Sequence, residues 1–300
     1  MLKRLLLTIA MTLSMAFPAA AANPADIVSV PSIASLKALG AASAQYTNAS
    51  VVAYYSGGTV GGGRFTWSPA STATPDNCTV IQATGVTTGR WIRVPTATLS
   101  VTDCGAKGDG STNDTTALQA ALTGISTGGT VIIPGTSDCY LFSTALSVAK
   151  AMTVQGPGRL CTSTAGIAGI VVTASNVTLD GIVLTGAQYA SYNGYENAVY
   201  AHGTFHAGLA PTYITNFVAK NLTINGWGAA AIQISYVNGF YANNNRISNL
   251  PYAGIVTITG LYGTISNNVI TGISGAGVGG SNAYGILVTR DTADSGELTS

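Results

Sequence analysis

The chain has 300 residues, of which 8% are charged and 47% apolar, with 37 glycines, 14 tyrosines and a formal net charge of +1. So few charges beside so much glycine exclude a helical bundle and a disordered chain. A near-neutral balance without a basic stripe gives nucleic-acid binding no electrostatic footing.

The first element is an export signal. Lys3 and Arg4 precede an apolar run from Leu5 to Phe17, and Pro18 to Ala22 supply small residues for cleavage. This is the pattern of a secretory signal peptide over residues 1–22. The run is too short to span a bilayer, and no later apolar run is long enough to do so. No cysteine follows it to carry a lipid anchor. The protein is therefore expected to be secreted or periplasmic, with no membrane partner.

Residues 23–97 read as a small β module. Pro31 to Leu39 is expected to form a short helix. Strand-like runs follow at Val51–Tyr55, Arg64–Trp67, Thr79–Gln82 and Arg90–Val94, separated by turn clusters such as Gly61-Gly-Gly63. Four cysteines, Cys78, Cys104, Cys139 and Cys161, suit no zinc site. In an oxidising compartment they could form disulfides, and all three pairings stay open alongside buried free thiols.

A second unit spans residues 98–300. After Thr102–Gly110, Asn113 or Asp114 is placed to cap a helix through Thr115–Leu122, whose Ala117, Leu118, Ala121, Leu122 and Ile125 form one apolar face. Gly128-Gly129 ends it, and Thr130–Ile133 begins a strand. Further on, one line is written three times, 23 residues apart: Phe217–Gly226, Phe240–Asn249 and Gly263–Gly272. Asn221, Asn244 and Asn267 share one column, and Ile224, Ile247 and Ile270 another. A second pair of columns runs through Ala231-Ile232, Gly254-Ile255 and, after an insertion within Ser274–Asn282, Gly285-Ile286. A short period without helical patterning means a β-solenoid, one coil per repeat. Residues 150–300 would make about five or six coils. The expected fold is all-β: a right-handed, single-stranded parallel β-helix with an N-terminal capping helix and a small β module ahead of it. The helix would cover the apolar interior and open strand edges of the first coil. The asparagine column is expected to act as a ladder satisfying turn backbone, and the isoleucine column as stacked core. Asn176–Gly181 echoes Asn221–Gly226 at an offset of 45, either two coils or one coil with a large insertion. The sequence stops soon after Gly285–Thr289 with nothing resembling a closing cap, so a fragment is expected.

The run Val101–Leu122, with Gly128–Gly135 after it, resembles the opening of the pectate lyase superfamily of right-handed parallel β-helices, which groups rhamnogalacturonases, polygalacturonases, epimerases and phage tailspikes. The resemblance extends over about residues 98–290, with Cys104 where an aromatic is usual. Residues 31–97, ending in Gly85–Arg93, look like a module found ahead of the β-helix in tailspikes and related bacterial proteins. The resemblance implies fold firmly and chemistry weakly. Relatives act on acidic or complex polysaccharides, which implies a polysaccharide substrate and, for a lyase, Ca²⁺. A phage tailspike normally carries no export signal, so Met1 to Ala22 favour an exported bacterial protein.

Hydrolysis requires two carboxyl groups across the scissile bond. Elimination requires a base for the proton beside a uronate carboxylate and a group to stabilise the enolate-like charge. From residue 151 the carboxylates are Asp180, Glu196, Asp291, Asp294 and Glu297, and both histidines lie in an insertion between Gly186 and Tyr213. The candidate catalytic residues are Glu196 as acid or base, His202 or His206 as its proton partner, and Asp180, for which a turn role competes. Tyr192, Tyr195, Tyr200 and Trp227 are candidate sugar platforms, with loop packing or the coil wall as the alternative. Arg246 replaces an apolar or threonine residue in its column and is a candidate substrate contact or elimination base. Asp103, Asp109 and Asp114 do not follow calcium-loop spacing and fit turn and cap roles. No nucleophile elbow, P-loop or metal motif is present. The leading expectation is a secreted polysaccharide lyase or glycoside hydrolase. A non-catalytic glycan-binding or adhesive surface protein is the second reading, and a tailspike-like depolymerase, trimeric with glycan between subunits, the third.

Overall fold

The computed structural model describes residues 26–187, 194, 196–205, 210–275 and 282–290. The expected signal peptide, Tyr192, Tyr195 and His206 lie outside the described residues.

The N-terminal sheet has the strand order Ile27–Ser32, Asn48–Ala53, Gly61–Ser68, Arg90–Arg93 and Val80–Ile81. Its first pair is parallel and the others antiparallel. Part of the stretch expected to be helical is a strand, Ile27–Ser32, and the helix is confined to Ile33–Ala38. Ser32 makes the switch, its hydroxyl accepting from the Ser35 amide at 3.2 Å. Ile33 and Leu36 join Val51, Phe65, Ile81 and Trp91 in a small core.

This sheet is bolted to the next unit. A disulfide joins Cys78 to Cys104, and a second joins Cys139 to Cys161. The Arg93 guanidinium donates to the carbonyls of Cys78, Gly62 and Asp103 at 2.7–2.9 Å. The Tyr55 hydroxyl donates to Gly105 O at 2.6 Å.

The second unit is a parallel β-helix with three faces. Face one stacks Thr98–Ser100, Thr130–Ile132, Met152–Gln155, Val177–Asp180, Ile214–Lys220, Val237–Asn243 and Leu261–Ser266. Face two stacks Tyr140–Leu141, Arg159–Cys161, Val183–Thr185, Thr223–Asn225, Arg246–Leu250 and Val269–Ile273. Face three stacks Leu146–Val148, Ile170–Val172, Val199–His202, Ala230–Ser235, Ala253–Ile258 and Tyr284–Thr289. The strands of the first coils alternate a buried inward residue with an outward one, as a period of two requires. Leu160, Leu184, Ile224, Ile247 and Ile270 line up inside face two, and Ile232 and Ile255 inside face three, with Ile286 continuing that register on the last strand, where it is exposed. The isoleucine columns are core up to the last strand, and the insertion before Gly285 is seen in the 31-residue offset of the Ile255–Ile286 pairing.

The Thr115–Gly124 helix places Leu118, Ala121 and Leu122 in the same core as Leu99, Val131 and Leu146, at the first coil. Asn113, rather than Asp114, supplies its cap, its Oδ1 accepting from Thr115 N at 3.1 Å. The Asp114 carboxylate instead accepts from the amides of Lys107 and Gly108, and burial pushes its pKa up. Lys150 Nζ donates to the carbonyls of Thr123 and Ile125 at the helix C-terminus, where a cation suits the dipole.

The asparagine columns divide their work. Asn221, Asn244 and Asn267 hold φ of +57°, +54° and +55°, the left-handed region that asparagine tolerates at corners. The backbone is satisfied one position later. The buried Asn245 accepts from Leu222 N and donates to Ala219 O, each at 3.0 Å, and to Asn268 Oδ1 at 2.9 Å. Asn268 Nδ2 repeats the pattern on Ala242 O. The echo of Asn176 with Asn221 does not reflect the coil register. Val177 pairs with Phe217, an offset of 40, so this is one coil with a large insertion. Asn176 stacks on Asn216, whose Nδ2 donates to its Oδ1 at 2.9 Å.

Candidate functional site

The enlarged coil carries two excursions around one ordinary rung, not one insertion. Val199–His202 pairs with Ile170–Val172 below and Ala230–Ser235 above. Val199 and Ala201 therefore point into the core while Tyr200 and His202 point out. In sequence, residues 186–198 separate this rung from Val183–Thr185 and residues 203–213 from Ile214–Lys220. In the second segment, Thr204 and Thr212 exchange backbone hydrogen bonds at 2.8 Å, and Phe205 stacks on Tyr236 with ring centroids 5.9 Å apart.

The outward rings of Tyr200 and His202 stack at 4.3 Å with 22° between their planes. His202 Nδ1 lies 2.7 Å from Gly203 O. A neutral imidazole in that position donates from Nδ1, which leaves the Nε2 lone pair available. In the next rung, Gln233 stands beside Tyr200 and Ser235 beside His202, and Gln233 Nε2 donates to Ser235 Oγ at 3.2 Å. Burial raises the Tyr200 pKa above its ordinary value of about 10, and a hydrogen bond with Ser235 partly offsets it. The site is thus a half-buried aromatic pair with a basic nitrogen, a protonated phenol and amide and hydroxyl groups on one sheet exterior.

The other sequence candidates are dispersed. Glu196 is buried at the corner leading from face two to face three, not displayed on a loop. Its Oε1 accepts from Gly166 N of the coil below, and a Cβ at Gly228 of the coil above would come within 1.9 Å of Oε2. This carboxylate braces stacked corners and is buried rather than displayed to a sugar. Trp227 is fully buried, stacked at 6.4 Å on Phe142, so the wall reading replaces the platform reading. Asp180 ends a face-one strand, paired with Lys220 at 3.3 Å and accepting from Asn221 Nδ2 at 2.7 Å. Arg246 is exposed on face two, as its column suggested. Asp109, capping the turn at Ser111 and Thr112, is held well below the usual carboxylate range by those hydrogen bonds. Gln233 and Ser235 escaped sequence reading, because the enlarged coil puts them 33 residues from Tyr200 and His202, outside the 23-residue period.

Among the strands of the three faces, Asp180 is the one carboxylate. Among the described residues, no three His, Cys, Asp or Glu side chains gather where they could hold a metal ion.

Residues 29–96 match a family described as the phage tail protein small four-stranded beta-sheet domain. Residues 98–199 match the rhamnogalacturonase A/epimerase, pectate lyase-like family. Among curated protein sequences none matches. Among solved structures, a tailspike protein of Acinetobacter baumannii bacteriophage Fri1, a capsular polysaccharide depolymerase, is similar at a TM-score of 0.50 and 14% identity, over 88% of this chain and 58% of that one. The enzymatically active domain of bacteriophage CBA120 tailspike protein 2 is similar at a TM-score of 0.54 and 16% identity, over 86% of this chain and 44% of that one. The chain thus spans about half the length of these structures. It is similar to tailspike parallel β-helices, with a phage-tail-type β-sheet segment leading into a pectate-lyase-like solenoid.

Proposed function

We propose that the protein is an exported, tailspike-like polysaccharide-active protein that holds an acidic glycan on the exterior of face three and cleaves it by elimination. The stacked Tyr200–His202 pair carries this reading. Flat rings displayed beside amide and hydroxyl groups suit a sugar ring, which presents an apolar face and a hydroxylated rim. His202 Nε2 is the base that takes the proton beside the uronate carboxylate. As the carbon–oxygen bond to the leaving sugar breaks and a double bond forms, Tyr200, kept protonated by its raised pKa, returns a proton to the leaving oxygen. Gln233 and Ser235 offer donors to the charge that develops on the carboxylate.

Hydrolysis is less well supported, because it needs a pair of carboxyl groups and the strands of the described faces carry one, Asp180. Export is supported by the two disulfides, which persist in oxidising compartments. A homotrimer, and the secreted or periplasmic destination set by residues 1–22, belong to this same proposal. The scarcity of carboxylates also favours a second reading, a glycan-binding surface without catalysis.

The test is incubation with polygalacturonate, alginate and rhamnogalacturonan, following the ultraviolet absorbance of the unsaturated product and the release of reducing ends. The expected result is both signals rising together on a uronate polymer. Reducing ends without absorbance would make the protein a hydrolase. Binding with neither signal would leave the non-catalytic reading.

A further inference from the structure

We propose that face two is a second, tethering track for an acidic glycan chain laid along the solenoid axis, anchored by Arg159 and Arg246. The proposal rests on the glycan reading above and adds to it a surface separate from Tyr200 and His202.

The two arginines stand in one outward column. Arg159 pairs with Val183, Val183 with Thr223 and Thr223 with Arg246. Three rungs at roughly 4.8 Å set their backbones about 14 Å apart. Both side chains are exposed, and among the described residues neither is joined to a carboxylate. The remaining described cations of the solenoid lie elsewhere: Lys220 is paired with Asp180, Lys150 is bound to the carbonyls that end the helix, Lys107 lies over the Tyr55 ring, and Arg290 follows the last face-three strand. No face-two strand contains Asp or Glu. The face is therefore positive at both ends of a neutral floor.

That floor is polar. The adjacent outward column runs through Thr185, Asn225 and Ser248, with Asn225 Nδ2 donating to Ser248 Oγ at 2.8 Å. A guanidinium fork matches a carboxylate or sulfate in two parallel hydrogen bonds, and the floor offers hydroxyl and amide groups to sugar hydroxyls. An extended hexose chain advances by nearly one rung per sugar. Only an oligomer of about four sugars or more could therefore place acidic groups at both arginines, the second contact then forming intramolecularly at high effective concentration. Two anchors are too few for tight polynucleotide binding, which draws on many phosphate contacts.

The test is calorimetric titration of the full chain with oligogalacturonates of defined length, from about two to about six sugars, and with the same oligomers fully methyl-esterified. Affinity is expected to step up roughly tenfold once the oligomer spans both anchors, as one charge-assisted contact of about 1.4 kcal/mol would give. Arg159→Gln and Arg246→Gln should each return long oligomers to the short-oligomer affinity, with the thermal midpoint unchanged and no step for the esters. Length-independent affinity, full affinity in both variants, or equally tight arginine-dependent binding of single-stranded DNA would overturn the track. Binding that is lost in Tyr200→Ala yet indifferent to both arginines would defeat this inference alone. An absence of binding to every acidic and neutral glycan would defeat the glycan reading with it.

Discussion

From Ile214 to Ser266 the coils repeat every 23 residues, whereas the coil that begins at Val177 takes 40 to return to the same column. In the regular coils nearly every specified position is scaffold: isoleucines inside, left-handed asparagines at the corners, Asn245 and Asn268 bridging turns. In the enlarged coil the strand Val199–His202 is just as regular, pairing on both sides, yet its outward residues are a phenol ring and an imidazole where neighbouring rungs carry valine, glutamine, serine or isoleucine. Irregular spacing does not displace the rung. It adds sequence at the two ends of the rung and leaves an ordinary sheet exterior between them.

Stability should sort along this division. The largest loss is expected for Trp227→Ala, which empties the interior next to Phe142, against Gly169 and Gly186. About 3–5 kcal/mol is the usual cost of such a truncation, read as a fall in the denaturant midpoint. A smaller loss would mean the corner collapses and that the enlarged coil is softer than its neighbours.

Asn245→Ala should follow at roughly 2–3 kcal/mol, because it strands a buried amide at Leu222 and a carbonyl at Ala219. Asn244→Ala, one residue earlier, loses only its left-handed tolerance and a surface hydrogen bond, about 1–2 kcal/mol. Equal effects at the two positions would erase the distinction between bridging and corner asparagines. Lys220→Gln should be smallest, within about 1 kcal/mol, since its pair with Asp180 is solvent-facing. Chemical denaturation of the four variants in parallel checks the ranking.

The sequence carried the period, the inward columns and the capping helix because each is a local pattern of apolar residues that burial enforces. It did not reveal that Ile27–Ser32 is a strand, since its partner Asn48–Ala53 lies beyond a helix and only pairing defines it. Nor did it show that the columns beginning at Asn176 and Asn221 are different corners, because both place asparagine at positive φ and look alike as text. At the site, Tyr200 and His202 were visible as residue types, but their assignment to a loop was wrong by one rung of sheet. Glu196 attracted attention as a rare carboxylate. Its fixed place between Gly166 and Gly228 depends on three coils meeting, which no single repeat encodes.

The central claim is that an outward pair on one regular rung does the chemistry while the interior only holds it in place. Its most direct measurement is the rate of unsaturated-product formation by His202→Gln on the uronate polymer the unmodified chain cleaves, with the denaturant midpoint measured on the same sample. The account predicts a fall of about 10²-fold or more with the midpoint unchanged, since a positioned general base contributes on that scale. A rate equal to that of the unmodified chain, with the midpoint equally intact, would contradict it.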